Sequence, residues 1–577
     1  MAGRAEWAIV AGASVAALVH DPLALAAAPK TVVLVVVAVV ALGLGLVRSV
    51  CSARSARTPG EAPRLARRDE SRAPSPSVAL WLLLCAWSAL TLVWGNRAAL
   101  AGLAGWCGAA GLMLQVGQLG AQARVEIVRL AAVLAGSGSA LVALGQRLVG
   151  EHGIAVHGGQ GNPNWLGLVL AVALPLSVDA VLEASRRRRW LLLGGCLVQL
   201  GGLLLSGSRV AWIALALVAL VAAVRGRRRR WWLALAAAAG LLLTLWVAGR
   251  GEKALGQAWA GRLQIWAATV GAAAPAQPFG VGLGRFGEAY LVEQGRALAA
   301  LTPGQAARRF LNATTSHSEW FQVGLEQGLV GLLLLGLCLV SAARASWRRW
   351  PGGSLALISL MLAAAGDSPL QQPAVLALLA LLLPAADAAD HIARWPRMVR
   401  VGHLLALAVL ALLLLPAVAR WIGSHQLAVA RDQVLHHRLA TLHRAAAIDP
   451  WSGEVALEHG LALAELGRPK PALAELQRSR ARLANVGTDV AIGNVLLALG
   501  RREPAVRAYR RALARHPGFF RAHANLAEAL RQLGRLERAG HHLRVARSLL
   551  PGHPKLGDLE RRLERSKLGR AVGAPPD

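Results

Sequence analysis

The stretch TVVLVVVAVVALGLGLVR, residues 31–48, has no charged side chain between Thr31 and Arg48. An α-helix rises about 1.5 Å per residue, so about 20 apolar residues cross the roughly 30 Å hydrocarbon core of a bilayer. The basic stretch 48–76 follows at once, and this alternation of apolar runs and basic knots recurs along the chain. The sequence therefore predicts an all-α protein built on membrane-spanning helices.

Apolar residues make up 55% of the 577 positions, and their runs predict a polytopic bundle of about 12–13 transmembrane helices. The candidate spans lie at about residues 7–20, 31–48, 78–95, 97–116, 125–146, 164–183, 190–206, 208–224, 231–249, 320–342, 353–366, 373–387 and 402–420. The first run shows no small-residue cleavage site and is interpreted as an uncleaved span. The cysteines lack metal-ligand spacing, which predicts neither a disulfide framework nor a zinc site.

The basic residues indicate how the bundle is oriented. Lys and Arg number 63 against 31 Asp and Glu, for a net charge of +32, and most of the excess lies in short loops and on the tail. This is the positive-inside pattern, and it argues against nucleic-acid binding. With a cytoplasmic N-terminus, every basic loop falls on the cytoplasmic side. The outer face then receives 147–163, 206–209, 250–319, the turn near Asp367 and everything after about residue 421.

The tail from about residue 425 has amphipathic periodicity interleaved with arginine. Leu-Gly-Arg recurs at 466–468, 499–501 and 533–535, so the interval is nearly constant. It matches the period of tetratricopeptide repeats, in which a glycine ends the first helix of each pair. The tail is therefore predicted to be a soluble α-solenoid of helix pairs.

Four segments assigned to the outer face place polar residues beside apolar spans. They are Asn162-Pro163-Asn164, Ser206-Gly207-Ser208-Arg209, the glycine-rich run Pro278–Phe286 with Arg285, and Thr315–Gln322 with His317 and Glu319. An arginine at a helix mouth either snorkels to the head groups or holds a phosphate through two hydrogen bonds. A neutral histidine at the membrane surface can accept a proton.

In their order and common side, these segments resemble the bacterial O-antigen ligase/polymerase family of membrane glycosyltransferases. The matching motifs are Arg209 after a small, polar turn, Arg262-x-x-x-Trp266, the Pro-x-Gly-x-Gly-x-Gly-x-Phe loop at 278–286, and Glu326-x-Gly328-x-x-Gly331. The histidine motif departs from the family, because Ser318 stands where members carry asparagine. The resemblance covers roughly residues 20–390, and many members carry a tetratricopeptide tail.

The resemblance implies transfer of a glycan from undecaprenyl pyrophosphate to an acceptor hydroxyl. It implies His317 as the catalytic base, with Arg209 and Arg262 stabilising the departing pyrophosphate. Arg285, Glu319 and Asn164 are the expected substrate contacts. The sequence contains no Asp-x-Asp motif. We therefore expect a metal-independent reaction without a cofactor.

We expect three regions: a membrane domain at 1–421 with an outer catalytic loop at about 250–319, a repeat domain at 422–570, and a disordered tail at 571–577. The resemblance implies a multi-pass protein of the bacterial inner membrane, with its active site and repeats in the periplasm. The expected partners are the lipid-linked glycan donor, a lipid or saccharide acceptor, membrane lipids, and a protein bound by the repeats.

Four alternatives remain open from the sequence. A polysaccharide polymerase and a protein O-glycosyltransferase would share the donor and the motifs, and only the acceptor separates them from a ligase. A transporter or flippase would show repeated spans and ionisable residues in mid-membrane, neither of which the sequence has. A membrane-anchored scaffold would need only one or two spans.

Overall fold

The computed structural model describes residues 27–55, 74–149, 156–224, 233, 240, 252–387 and 396–571. Every regular element in these ranges is a helix. The predicted span 7–20, the predicted span 231–249 apart from residues 233 and 240, and the predicted tail apart from Ala571 lie outside the described residues. The all-α prediction is confirmed.

The membrane bundle and the segment that interrupts it contain fifteen described α-helices. They are α1 (Ala27–Ser55), α2 (Pro76–Thr91), α3 (Leu100–Val116), α4 (Ala121–Leu148), α5 (Pro163–Glu183), α6 (Arg186–Ser206), α7 (Arg209–Val224), α8 (Glu252–Ala273), α9 (Phe286–Leu298), α10 (Pro303–Arg309), α11 (Glu319–Glu326), α12 (Gly328–Ser346), α13 (Pro351–Gly366), α14 (Pro373–Ala386) and α15 (Pro396–Arg431). Within the described residues, seven of these helices are long and apolar enough to cross a membrane, and α2, α7, α13 and α14 are shorter apolar helices. The chain is therefore a multi-pass membrane protein.

Two predicted segments differ from what the sequence suggested. The outer loop is largely helical, since α8, α9 and α10 occupy most of its described part, residues 252–319, which we call the outer segment. The predicted span 320–342 is broken after Glu326, and α12 begins anew at Gly328. The break occurs because amides of the glycine-rich run, and not those of the next helical turn, pair with the last carbonyls of α11.

The segments that positive-inside topology assigns to one face meet at one end of the bundle. At the predicted outer end, the Asn96 amide donates to the Leu283 carbonyl over 2.8 Å, and the Glu319 amide donates to the Asp367 carbonyl over 3.0 Å. At the other end, the Arg129 guanidinium lies 2.7 Å from the Asp179 carboxylate. The indole of Trp350 donates to the same carboxylate over 2.8 Å. Polar clusters thus mark both ends of the bundle.

Helix α14 lies in the centre of the bundle, and all fourteen of its residues are buried. At about 1.5 Å per residue it spans roughly 21 Å, which is less than the hydrocarbon core. It packs against α3 and α4, so its all-round apolar surface faces protein. The turn that precedes it, residues 367–372, lies at the predicted outer end of the bundle, where it contacts the start of α11 through Asp367.

Residues 435–571 form the solenoid. Its helices are α16 (Leu435–Ile448), α17 (Gly453–Glu465), α18 (Pro469–Arg480), α19 (Val486–Ala498), α20 (Arg502–Arg515), α21 (Phe520–Gln532), α22 (Leu536–Leu549) and α23 (Pro554–Ala571). Gly467, Gly500 and Gly534 have φ values of 70°, 72° and 71°, which end the first helix of each pair as the repeat predicted. The expected boundary at residue 421 falls inside α15, which continues to Arg431.

The solenoid and the outer segment share one apolar core. Outer-segment residues in this core include Ile265, Phe286, Tyr290 and Leu291, and they pack in one cluster with the buried side chains of α18 to α23. The solenoid is therefore joined to the bundle by packing as well as by the chain itself.

We expect Asp179→Ala to destabilise the bundle strongly. The substitution leaves the partly buried Arg129 guanidinium and the Trp350 indole N–H without their carboxylate, which typically costs about 3–5 kcal/mol. The matched control is Asp558→Ala in α23, whose carboxylate is 56% exposed and whose ion pair with Arg562 is worth about 0–1 kcal/mol. Thermal unfolding in detergent measures both; equal shifts in Tm would contradict the role assigned to Asp179.

Candidate active site

His317 stands between two fully buried serines and is itself only half-buried. Its φ is +52°, a left-handed conformation that is uncommon for a residue with a side chain. Neighbouring anchors fix this backbone: the Trp266 indole donates to the Ser316 carbonyl over 2.9 Å, and the Ser318 hydroxyl donates to the Ala364 carbonyl over 3.2 Å. The imidazole is therefore presented from a rigid turn.

The Arg-x-x-x-Trp spacing has a direct structural meaning. Arg262 and Trp266 lie one turn apart on α8, so both point to the same side of the helix. Trp266 holds the His317 turn and packs on Phe321, with 5.4 Å between ring centroids, while the Arg262 guanidinium lies close enough to influence the charge of His317. One helix thus positions both a cation and the support of the histidine.

Arg209 begins α7 and precedes Val210. The side chains of Val210 and Arg262 both lie close to Gly366. A Cβ atom placed on Gly366 would lie 3.0 Å from Val210 Cγ2 and 3.5 Å from Arg262 Nη1. The first turn of α7, the end of α13 and the middle of α8 therefore converge beside Asp367. Arg209, Arg262 and His317, which are far apart in the sequence, belong to the same region of the structure.

Burial is the main influence on His317 and lowers its pKa below the ordinary value of a histidine. The nearby Asp367 carboxylate acts in the opposite direction, and Arg262 lowers the pKa further. The net result is an imidazole that is neutral at pH 7 and able to accept a proton.

The glycine-rich run closes on the break between α11 and α12. The Val281 and Gly282 amides donate to the Leu325 and Glu326 carbonyls, each over 2.9 Å. A Cβ atom on Gly328, whose φ is +69°, would lie 2.1 Å from the Pro278 carbonyl oxygen and 2.6 Å from the Gly280 nitrogen. The two backbones therefore touch where no side chain fits, which is the reason that both motifs carry glycine.

A buried hydrogen-bond network connects this run to the histidine turn. The Phe286 amide and the Gln322 side-chain amide each donate to Glu326 Oε1 over 3.0 Å. The Gln322 side-chain oxygen Oε1 in turn accepts from the Ser316 backbone amide over 3.0 Å. Glu326 of the Glu-x-Gly-x-x-Gly motif thus acts as a structural acceptor that ties Phe286 to the residue before His317.

The remaining predicted contacts lie in different settings. Glu319 is buried, and its Oε2 accepts from the Leu370 amide over 2.8 Å. Arg285 is engaged by Glu288 at 2.8 Å and by the Trp94 carbonyl at 3.3 Å, on the flank of the glycine-rich run. Asn164 is exposed in the first turn of α5, where its amide donates to the Asn162 side chain over 2.8 Å. The structure does not bring Arg285 or Asn164 into contact with the histidine turn.

A cavity of about 310 Å³ lies beside α11. Its lining includes Glu319, Gln322 and Glu326 of α11 and apolar residues such as Trp106 and Leu376. Carboxylate and carboxamide groups combined with apolar side chains suit a ligand that has a polar part and an apolar part.

Asp367 is the residue of the site that sequence reasoning did not select. It is 6% exposed, and its Oδ1 accepts from the Ser368 amide over 2.8 Å. The available signal was a lone carboxylate in a short Gly-Asp-Ser-Pro break between two apolar segments. Its proximity to His317 depends on the packing of α13 against α11, which local sequence does not encode.

Comparison with known proteins identifies two regions of the chain. Residues 191–336 match the family model described as O-antigen ligase, and residues 490–554 match a tetratricopeptide repeat model. The first match contains Arg209, Arg262, Arg285, His317 and Glu319, and it ends before Asp367. The chain therefore carries a domain of a glycosyltransferase-like membrane family followed by repeats, and the resemblance is confirmed.

Other comparisons are less informative. No curated protein matches the chain. Among solved structures, the crystal structure of the APC/C hetero-tetramer Cut9–Hcn1 aligns with 80% of this chain, and the alignment covers 76% of the chain in that structure. The sequence identity is 11% and the TM-score is 0.22, which is too low to indicate a common fold.

Gly328→Ala is expected to release the glycine-rich run from α12. A side chain at this positive φ costs about 1–2 kcal/mol from the backbone alone, and the contact with the Pro278 carbonyl adds to the penalty. Gly336→Ala, in the same helix with open space around it, is the control. Limited proteolysis of membrane vesicles should cleave the 278–286 run faster in Gly328→Ala only. Equal cleavage rates would contradict the assigned contact.

Proposed function

We propose that this chain, as a carrier of an O-antigen ligase domain, transfers a glycan from undecaprenyl pyrophosphate to an acceptor hydroxyl on the periplasmic face of the inner membrane. The observation that carries the proposal is the proximity of Arg262 and His317 to Asp367 at the predicted outer end of the bundle, where the first turn of α7, which begins at Arg209, also packs. A base and two cations are the groups that this transfer needs.

In the proposed step, the acceptor oxygen forms a bond to the anomeric carbon of the glycan. The bond from that carbon to the pyrophosphate oxygen breaks, and its electron pair stays with the pyrophosphate. The His317 imidazole takes the proton of the acceptor hydroxyl. The Asp367 carboxylate, which favours the charged form of His317, stabilises the imidazolium that results.

Arg209 and Arg262 supply positive charge where the pyrophosphate acquires negative charge. Guanidinium groups bind phosphate oxygens through paired hydrogen bonds, and fixed cations in a partly dry site stabilise developing charge effectively. The reaction is therefore proposed to run without a metal ion. The cavity beside α11, which both polar and apolar residues line, offers space for the junction of saccharide and lipid.

The proposed orientation follows from the basic loops, which would lie in the cytoplasm. The outer segment and the solenoid are then periplasmic, where no nucleotide sugar is available and a lipid-linked donor is required. Ligase and polymerase activities differ only in the acceptor. The product of the assay below, either acceptor-linked or polymerised, separates them.

We expect His317→Ala to lower glycan transfer by about 10²–10⁴-fold through loss of the base. Arg209→Ala and Arg262→Ala should each lower it by about 10²–10³-fold through loss of charge stabilisation. Transfer is measured in membranes supplied with polyprenyl-pyrophosphate-linked glycan, at matched expression, with lipid-linked, polymerised and acceptor-linked products separated.

The matched control for the arginine variants is Arg308→Ala, which removes the same charge from an exposed position of the outer segment. It should transfer at the wild-type rate. Normal transfer by all three site variants would refute the site, and an equal loss in Arg308→Ala would show that only the net charge of the segment matters.

The acid limb of the pH–rate profile should lie below pH 6.5, the ordinary pKa of histidine, because burial lowers the pKa of His317. The neutral, active imidazole then persists until the pH falls through this lowered value. Asp367→Asn removes the carboxylate that raises this pKa, so the acid limb should move to lower pH, with wild type as the reference. A shift to higher pH would mean that Asp367 does not act on the titrating group.

A further inference from the structure

The solenoid meets α9 through close contacts at two glycines. A Cβ atom on Gly295 would lie 2.2 Å from the Ala514 carbonyl oxygen and 2.9 Å from Arg515 Cα. One on Gly287, two turns earlier on α9, would lie 2.8 Å from Ala484 Cβ. The helix therefore lies directly on the chain where α18 and α20 end.

A second contact joins α10 to the next turn of the solenoid. A Cβ atom on Gly518 would lie 2.3 Å from the Pro303 carbonyl oxygen and 2.5 Å from the Ala307 nitrogen. Beside it, the Phe310 ring stacks on His516, with 3.9 Å between centroids and an interplanar angle of 3°. Burial lowers the pKa of His516 to about 4, so the stacked imidazole is neutral.

A third contact fixes the solenoid to the bundle itself. The Trp451 ring contacts two guanidinium groups, with Arg97 Cζ at 5.3 Å and Arg482 Cζ at 5.1 Å from its centroid. The Asn96 side chain donates to the Arg482 carbonyl over 2.8 Å. The solenoid is thus held at the outer end of α3 as well as along the outer segment.

These contacts continue toward the histidine by two routes. At one end of α9, the Phe286 amide is bonded to Glu326 and so joins the network through Gln322 to the Ser316 amide. Within α9, the Gln294 side chain makes two hydrogen bonds to the Leu311 backbone, at 2.9 and 3.1 Å, shortly before His317 in the sequence. Both ends of the 311–317 stretch are therefore tied to a helix that rests on the solenoid.

We propose that the tetratricopeptide solenoid acts in cis as a clamp on the outer segment, and that its docking holds the His317 turn in its working position. The occupant of this edge of the solenoid is the chain's own α9 and α10, so this surface is closed to another protein. The inference rests on the proposed function for its activity readout. Gly295 and Gly518 are positioning residues in this proposal, since neither reaches the site.

The test compares Gly295→Ala and Gly518→Ala with Gly304→Ala in the full-length protein in native membranes. The added methyl group meets backbone at 295 and 518, whereas nothing lies within 4 Å at 304. Docking is measured independently of catalysis by oxidative capture of a Gly287→Cys/Ala484→Cys pair. The two Cβ atoms would start 2.8 Å apart, within about 1 Å of ordinary disulfide spacing.

We expect Gly295→Ala and Gly518→Ala to lower both capture and glycan transfer at least tenfold, and Gly304→Ala to change neither. In the Gly518→Ala background, oxidising the cysteine pair should restore transfer at least fivefold, and reduction should abolish the gain. Wild-type transfer by Gly295→Ala or Gly518→Ala protein in which the cysteine pair is no longer captured would overturn the clamp. So would captured variants that stay inactive.

A separate readout keeps the clamp testable if wild type transfers nothing. His317→Cys labelling by a membrane-impermeant maleimide reports the position of the turn without any substrate. The labelling rate should change at least threefold when Gly295→Ala is added and stay constant with Gly304→Ala. Equal rates in all three backgrounds would overturn the clamp, whereas absent wild-type transfer with a changed rate would refute only the proposed function.

Discussion

Backbone amides and carbonyls inside a bilayer must find their hydrogen bonds within the protein, and this requirement shapes the whole chain. The bundle meets it with helices throughout its apolar depth. Helical pairing is interrupted at the predicted outer end, where α11 stops before α12 and where residues 367–372 precede α14. Each break is repaired by a specific donor: amides of the glycine-rich run serve the end of α11, and the Asp367 carbonyl accepts from Glu319. Both breaks lie beside the turn that carries His317.

Several motifs at the predicted outer end are joined by hydrogen bonds into one network. Trp266 holds the turn that carries His317, Gln322 connects that turn to Glu326, and Glu326 holds the start of α9. Most of these residues therefore support the site without reaching a substrate. The motifs of Trp266, the glycine-rich run, His317 and Glu326 are well separated in the sequence and are joined by hydrogen bonds in the structure.

Local patterns were sufficient to predict much of the fold. Apolar runs located the spans that the structure describes, and the Leu-Gly-Arg recurrence located the glycines at 467, 500 and 534 that end repeat helices. Family motifs selected Arg262 and His317, which the structure brings into one region. Local patterns could not reveal Asp367 as a neighbour of His317, because that proximity arises from tertiary packing. They also missed the contacts of Gly295 and Gly518 between the outer segment and the solenoid, which we call the seam. The sequence near either glycine does not indicate which distant residues it contacts.

The seam also bears on how such a chain can be recombined. Repeat arrays are usually regarded as interchangeable modules, since each repeat contacts mainly its neighbours. Here the contacts of Gly295 and Gly518 are with backbone atoms of the same chain. The fit therefore depends on the paths of the two backbone segments rather than on side chains that a new partner could supply. A solenoid transplanted from a relative would need to reproduce that path within a fraction of an ångström. The unit that can be exchanged intact is the solenoid together with the outer segment, even though several helices of the bundle separate the two in sequence.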